Sequence, residues 1–278
     1  FKAQLYAAES EAKKARRGVW VDYDEEKERL EQEKARAEAA EAIGMGIYTK
    51  DGQQYIKVLV TDVADPIHFY INNIDDKNVA LVKEHMSAFV PGEVAADYVA
   101  KKGDLVAAKF EADGTWNRAR VDSFNPKLGQ YTIQYVDFGN IDQVAKDNVR
   151  PLTGDIVKVQ PLARPATLAG VKAPLASSEH FESGANALAE MTADTVFEAR
   201  IEHTEYGTNS ILHLTLFHES DKTSINAHML KQGWVRIHPR PLRKLESLVA
   251  EFEEYELEAK DKHYGIWEYG AYTSDVDE

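Results

Sequence analysis

The segment from Asp104 to Asn140 constrains the fold of this 278-residue chain more than any other part. It contains short alternating runs rich in β-branched and aromatic residues, which favour strands. Asp113-Gly114, Asn125-Pro126 and Gly129 separate these runs and are typical of tight turns. Four or five short strands within about sixty residues predict a small β-barrel. The expected strands are 105–110, 116–124, 131–137 and 141–145.

The same segment has more aromatic side chains than the core of a small barrel can absorb. Phe138 lies on a predicted turn beside Gly139 and Asn140, where burial of a large ring is difficult. We therefore expect this ring to face a binding pocket. The alternative is ordinary core packing, which is the commoner role of any single aromatic residue in a β domain.

The order of the motifs in this segment resembles a Tudor domain. The run 116–121, WNRARV, matches the pattern W-x-R-A-x-V, and the run 137–140, DFGN, matches D-F/Y-G-N. In this family an open cluster of aromatic rings binds methylated arginine or lysine. The resemblance implies a ligand-binding cage formed by Phe110, Trp116, Asn117, Tyr135, Phe138 and Asn140.

One wall of that cage departs from the family pattern. Phe110, Tyr135 and Phe138 match three aromatic walls and Asn140 matches the polar position, whereas the fourth aromatic position is Asn117. A ring contact with a delocalised cation contributes about 0.5–2 kcal/mol, so the missing ring predicts binding that is weaker by about tenfold or more. Near-perpendicular rings around an open space would indicate a functional cage, and interdigitated rings would not.

A repeat at the two ends of the chain predicts the surrounding fold. The pattern of Glu9 to Trp20 recurs at Glu256 to Trp267, with each matched position 247 residues later (267 minus 20). Its ending, a helix followed by Gly, an apolar residue and Trp, resembles the last helix of staphylococcal-nuclease-like domains. Other strands are expected at 55–63, 67–74, 166–170, 196–203 and 211–217, and helices at 78–88, 177–191, 224–232 and 242–264.

We therefore expect an α+β fold, mostly β, in which a Tudor small β-barrel is inserted into a staphylococcal-nuclease-like barrel of the oligonucleotide-binding type with helices, plus a long N-terminal helix. The arrangement resembles the C-terminal extended Tudor region of the Tudor-SN family. Because the chain begins within a predicted helix, we expect it to be a fragment. The expected parts are 1–44 (last helix of a preceding domain and a charged linker), 45–91 (first part of the nuclease-like domain), 92–155 (Tudor domain), 156–270 (second part) and 271–278 (acidic tail).

The charge balance favours cationic partners. The 47 acidic and 33 basic residues give a formal net charge of −14, which disfavours nucleic acid as the main ligand. We expect the partners to be arginine-methylated tails of RNA-processing or RNA-silencing proteins, with RNA as a second candidate and no membrane. The chain has no cysteine, which excludes disulfides and zinc–thiolate sites, and we expect no cofactor. The expected location is the cytoplasm, with the nucleus as an additional compartment.

A local basic cluster is the exception to this acidic character. Arg236, Arg240, Arg243 and Lys244 are the candidate RNA contacts, and the alternative is a solvated strand end and helix start. They support a second hypothesis, in which the chain is a single-stranded-RNA-binding or scaffold barrel with a non-functional cage.

Nuclease chemistry is not expected in this chain. Staphylococcal-nuclease-like catalysis needs a D-G-D-T metal loop, an arginine and a glutamate base. The corresponding run 62–66, DVADP, lacks the glycine and the threonine, and we interpret Asp62 and Asp65 as turn formers. The nine histidines show no metal-ligand spacing. The resemblance leaves nuclease activity to other repeats of the full-length family protein.

Overall fold

The computed structural model describes residues 46–94, 98–206, 210–218 and 222–270. The expected N-terminal helix, the first copy of the repeat, the charged linker and the acidic tail lie outside these residues. Among the described residues, none of the helices combines the length and the apolar character needed to cross a membrane.

Strands dominate the described part of the chain, and helices follow or connect them. The strands are β1 (Tyr48–Lys50), β2 (Gln53–Val63), β3 (His68–Asn73), β4 (Leu105–Lys109), β5 (Trp116–Asn125), β6 (Gln130–Tyr135), β7 (Ile141–Ala145), β8 (Val149–Pro151), β9 (Arg164–Leu168), β10 (Val171–Lys172), β11 (Val196–Glu205), β12 (Ile211–His218) and β13 (Arg236–Ile237). The α-helices are α1 (Lys77–Ser87), α2 (Glu179–Thr192), α3 (Ile225–Lys231) and α4 (Glu246–Asp261).

One sheet is formed by strands between Leu105 and Pro151, so it contains the strands of the segment 104–140 and two that follow it. Its strand order is β7-β6-β5-β4-β8, and all of its pairs are antiparallel. Strands β4 to β7 match the expected strands to within two residues, and Gly114 adopts a φ of +74° in the turn between β4 and β5. We call these five strands the inserted sheet. Its core contains Val106, Ala108, Ala119, Val121, Tyr131, Ile133, Tyr135, Val144 and Val149.

A second sheet is built from residues on both sides of the inserted sheet. Its order is β1-β2-β11-β12-β9-β3, and an additional pairing of β2 with β3 closes five of its strands into a ring. We call β2, β3, β9, β11 and β12 the outer barrel. Inward-facing side chains alternate along β2 and β11, where Ile56, Val58, Phe197 and Ala199 are buried. An insertion between β3 and β9 is therefore the observed topology.

The C-terminal helix ends as the repeat predicts. After α4 the chain turns at Gly265, which has a φ of +52°, and then buries Ile266 and Trp267. A Cβ atom on Gly265 would lie 2.2 Å from the carbonyl oxygen of Gly233, so only glycine allows the two backbones to approach this closely. The ammonium group of Lys260 lies over the indole of Trp267, with Nζ 4.5 Å from the ring centroid.

A buried ion pair joins the inserted sheet to the segment that returns to the outer barrel. Arg118 is fully buried and donates from Nε and Nη2 to the two carboxylate oxygens of Asp137, at 2.8 and 2.5 Å. The remaining guanidinium hydrogens go to backbone carbonyls of Ile156, Val159 and Gln160. All five donors of the arginine are therefore used.

Candidate ligand-binding site

A cavity of about 250 Å³ lies where the inserted sheet meets strand β2 of the outer barrel. It opens on one side to solvent, and its walls combine rings, amides and carboxylates. The lining residues are Thr61, Asp62, Phe110, Asp113, Thr115, Asn117, Tyr135, Phe138 and Asn140. Five of the six residues expected to form the cage are among them.

The aromatic walls of the cavity are an edge-to-face pair of rings and one exposed ring. The rings of Phe110 and Tyr135 have centroids 5.6 Å apart and an interplanar angle of 87°. Tyr135 is 1% exposed, and its hydroxyl donates to the carbonyl oxygen of Lys109 at 3.2 Å. Phe138 is 41% exposed on its turn, so its ring is accessible to a ligand in the cavity. The angle between Phe110 and Tyr135 is the near-perpendicular one expected of a cage, and the two rings are in edge-to-face contact with each other.

The turn that carries Phe138 is held by the outer barrel. Thr61 in β2 donates from Oγ1 to the carbonyl oxygen of Phe138 at 2.6 Å. Asn72 in β3 donates from Nδ2 to the carbonyl oxygen of Asp137 at 3.0 Å. Gly139 has a φ of +105°, and a Cβ atom on it would lie 2.1 Å from Cγ of Tyr70. The ring of Tyr70 therefore occupies the space beside the turn and fixes where Phe138 points.

Two side-chain amides supply the polar part of the cavity. Asn117 is half-buried and donates from Nδ2 to Thr115 Oγ1 at 2.9 Å. Asn140 is half-buried too, and within the described part of the chain its side-chain amide makes no hydrogen bond. Its backbone carbonyl accepts from the amide of Tyr135 at 3.0 Å, which closes the turn. The amide of Asn140 is thus available to a ligand.

Two carboxylates make the cavity attractive to a cation. Asp62 is half-buried in β2, and its burial raises the pKa of its carboxyl group, which a hydrogen bond with the backbone of Val63 opposes. No ion pair connects Asp62 to a cation among residues 46–94, 98–206, 210–218 and 222–270. Asp113 accepts hydrogen bonds from the backbone amide and the hydroxyl of Thr115, which lower the pKa of its carboxyl group.

Trp116 is the one expected cage residue that lies elsewhere. Its indole packs 5.6 Å from the ring of Phe89 with an interplanar angle of 53°, and the guanidinium of Arg150 lies 5.8 Å from its centroid. Val82 and Met86 of α1 belong to the same apolar cluster. Because strand residues alternate between faces, Trp116 packs toward α1 while Asn117 faces the cavity. Trp116 is therefore a packing residue and not a wall of the cavity.

The basic cluster does not present four exposed cations on one surface. Arg236 is 9% exposed within β13, so this candidate RNA contact is buried. Arg240 and Arg243 are exposed, and the amine of Lys244 contacts Nδ1 of His203 in β11. The sequence shows that these basic residues are close together in the chain. It does not show that Arg236 lies in a short strand and is buried there.

The two aspartates of the run 62–66, where a nuclease would have its metal loop, have different roles. Asp65 accepts hydrogen bonds at Oδ1 from the backbone amides of Ile67 and His68, at 2.9 and 2.8 Å, as a turn former does. Burial acts to raise the pKa of Asp65, but these bonds and the one with the imidazole of His68 leave that pKa lowered. Asp62 belongs to β2 and lines the cavity, so its interpretation as a turn former is wrong.

The cage motifs did not indicate four of the lining residues: Thr61, Asp62, Asp113 and Thr115. Asp113 and Thr115 lie between β4 and β5, next to the W-x-R-A run. Thr61 and Asp62 lie in β2, precede the inserted sheet in the chain and match no part of the W-x-R-A or D-F/Y-G-N patterns. Only the predicted insertion could have indicated Thr61 and Asp62, because the insertion places β2 beside the D-F-G-N turn.

Within the described ranges, one group of three potential metal ligands converges: Glu179, His180 and Glu268. None of these residues lines the cavity, and both carboxylates are exposed.

Comparisons with known proteins agree with this architecture. The Tudor domain model matches residues 51–170. Ribonuclease TUDOR 2 of Arabidopsis thaliana is 27% identical over 98% of this chain, which spans only 28% of the length of that protein. The solved extended Tudor domain of Drosophila melanogaster Tudor-SN superposes with a TM-score of 0.66 at 26% identity, covering 77% of this chain and 98% of that domain.

A more distant solved structure shares the fold. The extended Tudor domain TD3 of mouse TDRD1, in complex with a MILI peptide containing dimethylarginine, superposes with a TM-score of 0.56 at 19% identity. It covers 69% of this chain and 96% of that domain. Over nearly its whole length the chain is similar to Tudor-SN family proteins, and its fold is that of their extended Tudor region.

Proposed function

We propose that this chain is a reader module that binds dimethylated arginine in the tails of partner proteins. The observation that carries the proposal is the cavity of about 250 Å³, in which near-perpendicular rings of Phe110 and Tyr135 stand beside the half-buried carboxylate of Asp62. Pockets for whole small molecules are commonly about 300–1,000 Å³, so a cavity of this size suits a single side chain. An RNA-processing or RNA-silencing protein is the partner class that the family resemblance implies.

The chemistry of the cavity matches a methylated guanidinium. Methyl groups spread the positive charge and remove hydrogen-bond donors, which favours contact with ring faces over contact with water. The remaining N–H groups need acceptors, and the carboxylate of Asp62 and the amide oxygen of Asn140 are available to receive them. A neutral ligand would leave the charge of Asp62 uncompensated in a partly desolvated site.

The relatives support the same ligand class. Mouse TDRD1 binds a dimethylarginine-containing peptide through a domain of this fold. At 19% identity the likeness extends to the fold alone, so the assignment here rests on the lining residues. We infer a preference for symmetric dimethylarginine, in which each terminal nitrogen keeps one N–H group. Asymmetric dimethylarginine concentrates both methyl groups on one nitrogen and offers no N–H group there.

Asn117 defines how strongly the cavity holds its ligand. It stands where the family pattern has a fourth ring, and its amide is bonded to Thr115. We propose that the chain binds methylarginine with three rings, more weakly than a four-ring cage and with a larger contribution from Asp62.

Isothermal titration calorimetry with three versions of one arginine-containing peptide tests the proposal: unmodified, symmetrically dimethylated and asymmetrically dimethylated. We expect the symmetric form to bind best and Phe138→Ala to weaken it by about tenfold or more. Phe138 is exposed on a turn, so its removal has little effect on packing. Tyr269→Ala is the matched control, because Tyr269 is an aromatic residue that is 84% exposed and does not line the cavity. Equal affinity for the unmodified and dimethylated peptides would refute the reader function.

We assign no catalytic role to the described residues. The loop that would hold a catalytic metal lacks its glycine and threonine, and Asp65 is used in a turn. The plant relative is named a ribonuclease, and any such activity of a full-length protein is proposed for its other parts.

A further inference from the structure

A second and larger cavity lies on the outer barrel, and methylarginine binding gives it no role. Its volume is about 600 Å³, and its walls come from β1, β2, β11, β12 and the residues that follow β3 and β12. None of its lining residues belongs to the inserted sheet. We call it the barrel pocket.

The barrel pocket is cationic in an acidic chain. Lys50, Lys57, Arg200 and Lys222 line it, against one lining carboxylate, Glu198. Glu198 is already occupied, because it accepts from Tyr48 at 2.5 Å and from Lys50 at 3.1 Å, and these hydrogen bonds lower the pKa of its carboxyl group. The lining charge of the barrel pocket is therefore positive, although the net charge of the chain is −14.

Two of these cations are available to a ligand. Lys57 and Lys222 are exposed, and neither forms an ion pair with another residue in the part of the chain that the structure describes. Lys57 lies in β2 with its side chain exposed, directly across from Glu198 in the neighbouring strand β11. Phosphate oxygens are acceptors that ammonium groups bind without strict geometry.

Planar groups accompany the charges. The guanidinium of Arg200 lies 5.5 Å from the centroid of the Phe217 ring. Arg200 also donates from Nε to Oε1 of Glu202 at 2.6 Å. Lys50 Nζ lies 5.6 Å from the centroid of Tyr55, which stacks with Tyr48 at 5.9 Å and 23°. A guanidinium fixed over a ring presents a flat surface on which a nucleobase can stack.

We propose that the barrel pocket binds a single-stranded polynucleotide, with Lys57 and Lys222 on phosphates and a base stacked on Arg200. Proteins that bind single strands combine a cationic groove with stacking platforms in this way, and closed five-stranded barrels are a common scaffold for them. An acidic peptide would use the lysines but not the flat surface, so the Arg200–Phe217 pair favours the polynucleotide. The basic cluster around Arg240 is not required.

Fluorescence anisotropy with a labelled oligouridylate of about ten nucleotides tests the proposal, with oligothymidylate of the same length as the DNA arm. We expect Lys57→Glu combined with Lys222→Glu to weaken binding by about tenfold or more at low salt. Lys83→Glu combined with Lys127→Glu is the matched control, since both lysines are exposed, lie outside the pocket and change the net charge equally. Phe217→Leu should also weaken binding, and thermal unfolding establishes that each variant is folded.

Several outcomes decide the question. Absence of binding by the unmodified chain at low salt, an equal loss in the control double variant, or full competition by polyglutamate of the same charge would each overturn the proposal. A slope of log affinity against log salt of about −1.4 to −2.8, corresponding to two to four phosphates, would support it. Phe138→Ala should leave oligonucleotide binding unchanged, so failure of the reader function and failure of the barrel pocket are distinguishable.

Discussion

Asn117 is the residue at which this cage departs from its family pattern. It faces the cavity from β5, beside Thr115, and supplies an amide where a ring is usual. We predict that Asn117→Tyr tightens binding of a symmetrically dimethylated peptide by about two- to thirtyfold, because one additional ring contact is worth about 0.5–2 kcal/mol. Calorimetric titration of the two chains with the same peptide measures the change.

Two controls distinguish an added ring contact with the methylated guanidinium from a nonspecific gain in peptide affinity. Asn117→Ala removes the amide without adding a ring and should not tighten binding. The unmodified peptide should gain little from Asn117→Tyr, because its guanidinium remains strongly hydrated. A gain of equal size for methylated and unmodified peptides would show that the tyrosine acts outside the cage.

Asp62 gives the cavity a pH dependence whose sign follows from its burial. Desolvation raises the pKa of Asp62, so the charged form of its carboxyl group is less stable in the folded chain than in water. A bound cation needs that charged form, and affinity should therefore fall as the pH is lowered from neutral to about 4.5. Asp113 has a lowered pKa and stays charged over most of this range. Calorimetry across the pH series, with Asp62→Asn as the comparison, measures the effect.

The stability of the same variant should move in the opposite direction. A carboxyl group with a raised folded-state pKa destabilises the fold at pH values above its unfolded-state pKa, so Asp62→Asn should leave the unliganded chain equally or more stable at neutral pH. The variant should nevertheless bind the dimethylated peptide more weakly and with a flatter pH profile. Loss of both stability and binding would mean that Asp62 serves the fold and not the ligand.

At the scale of elements, the D-F-G-N turn is positioned by a strand hairpin that belongs to the other sheet. The ring of Tyr70 in β3 lies where a Cβ atom of residue 139 would be, at 2.1 Å. We predict that Gly139→Ala displaces the turn, destabilises the chain by about 1–3 kcal/mol or more, and reduces peptide affinity. Urea denaturation and calorimetry report the two effects.

Gly103→Ala separates backbone strain from steric clash. Gly103 has a φ of +90° but nothing within 4 Å of a Cβ atom, so the substitution introduces strain without contact with another element. It should cost stability and leave peptide affinity of the folded chain unchanged. Equal effects of the two substitutions on affinity would show that Tyr70 does not position the turn.

The sequence indicates elements well where alternation extends over five or more residues. Strands β4 to β7 follow their predicted positions because each combines alternation with a flanking turn signal. Strands β1, β8, β10 and β13 contain two or three residues each, too few for a period to be visible. They exist because a neighbouring strand offers unpaired backbone groups, which is a property of the assembled sheet.

The cavity was predictable only in the part that the inserted sheet contributes. Phe110, Asn117, Tyr135, Phe138 and Asn140 are brought together by the local strands and turns of the inserted sheet. Trp116 is adjacent to Asn117, but it faces the opposite way, toward α1, which covers that face of the sheet. The contribution of Asp62 depends on a contact between two sheets, which no local pattern encodes.

At the scale of the whole molecule, the Arg118–Asp137 pair connects the inserted sheet to the segment that leads back to the outer barrel. The pair is buried and bound to the segment that leads back to β9. We predict that Arg118→Met destabilises the chain by about 3–5 kcal/mol, because it leaves the carboxylate of Asp137 buried without its partner. Urea denaturation monitored by tryptophan fluorescence measures the loss.

The surface pair of Lys102 and Asp122 provides the control. Its side chains are 79% and 62% exposed, and Lys102→Met should change stability by less than about 1 kcal/mol. A similar small effect of Arg118→Met would contradict the structural role of the buried pair.

The position of Asp62 in β2 limits how this cavity can be exchanged between proteins. Recombination that moves the inserted sheet as a cassette would carry Phe110, Tyr135 and Phe138 into a new host and leave Thr61 and Asp62 behind. The transplanted rings would then depend on whatever strand the host places beside them. Ligand preference in such lineages would be inherited jointly from two stretches of gene, so the flanking barrel should evolve together with the insertion it encloses.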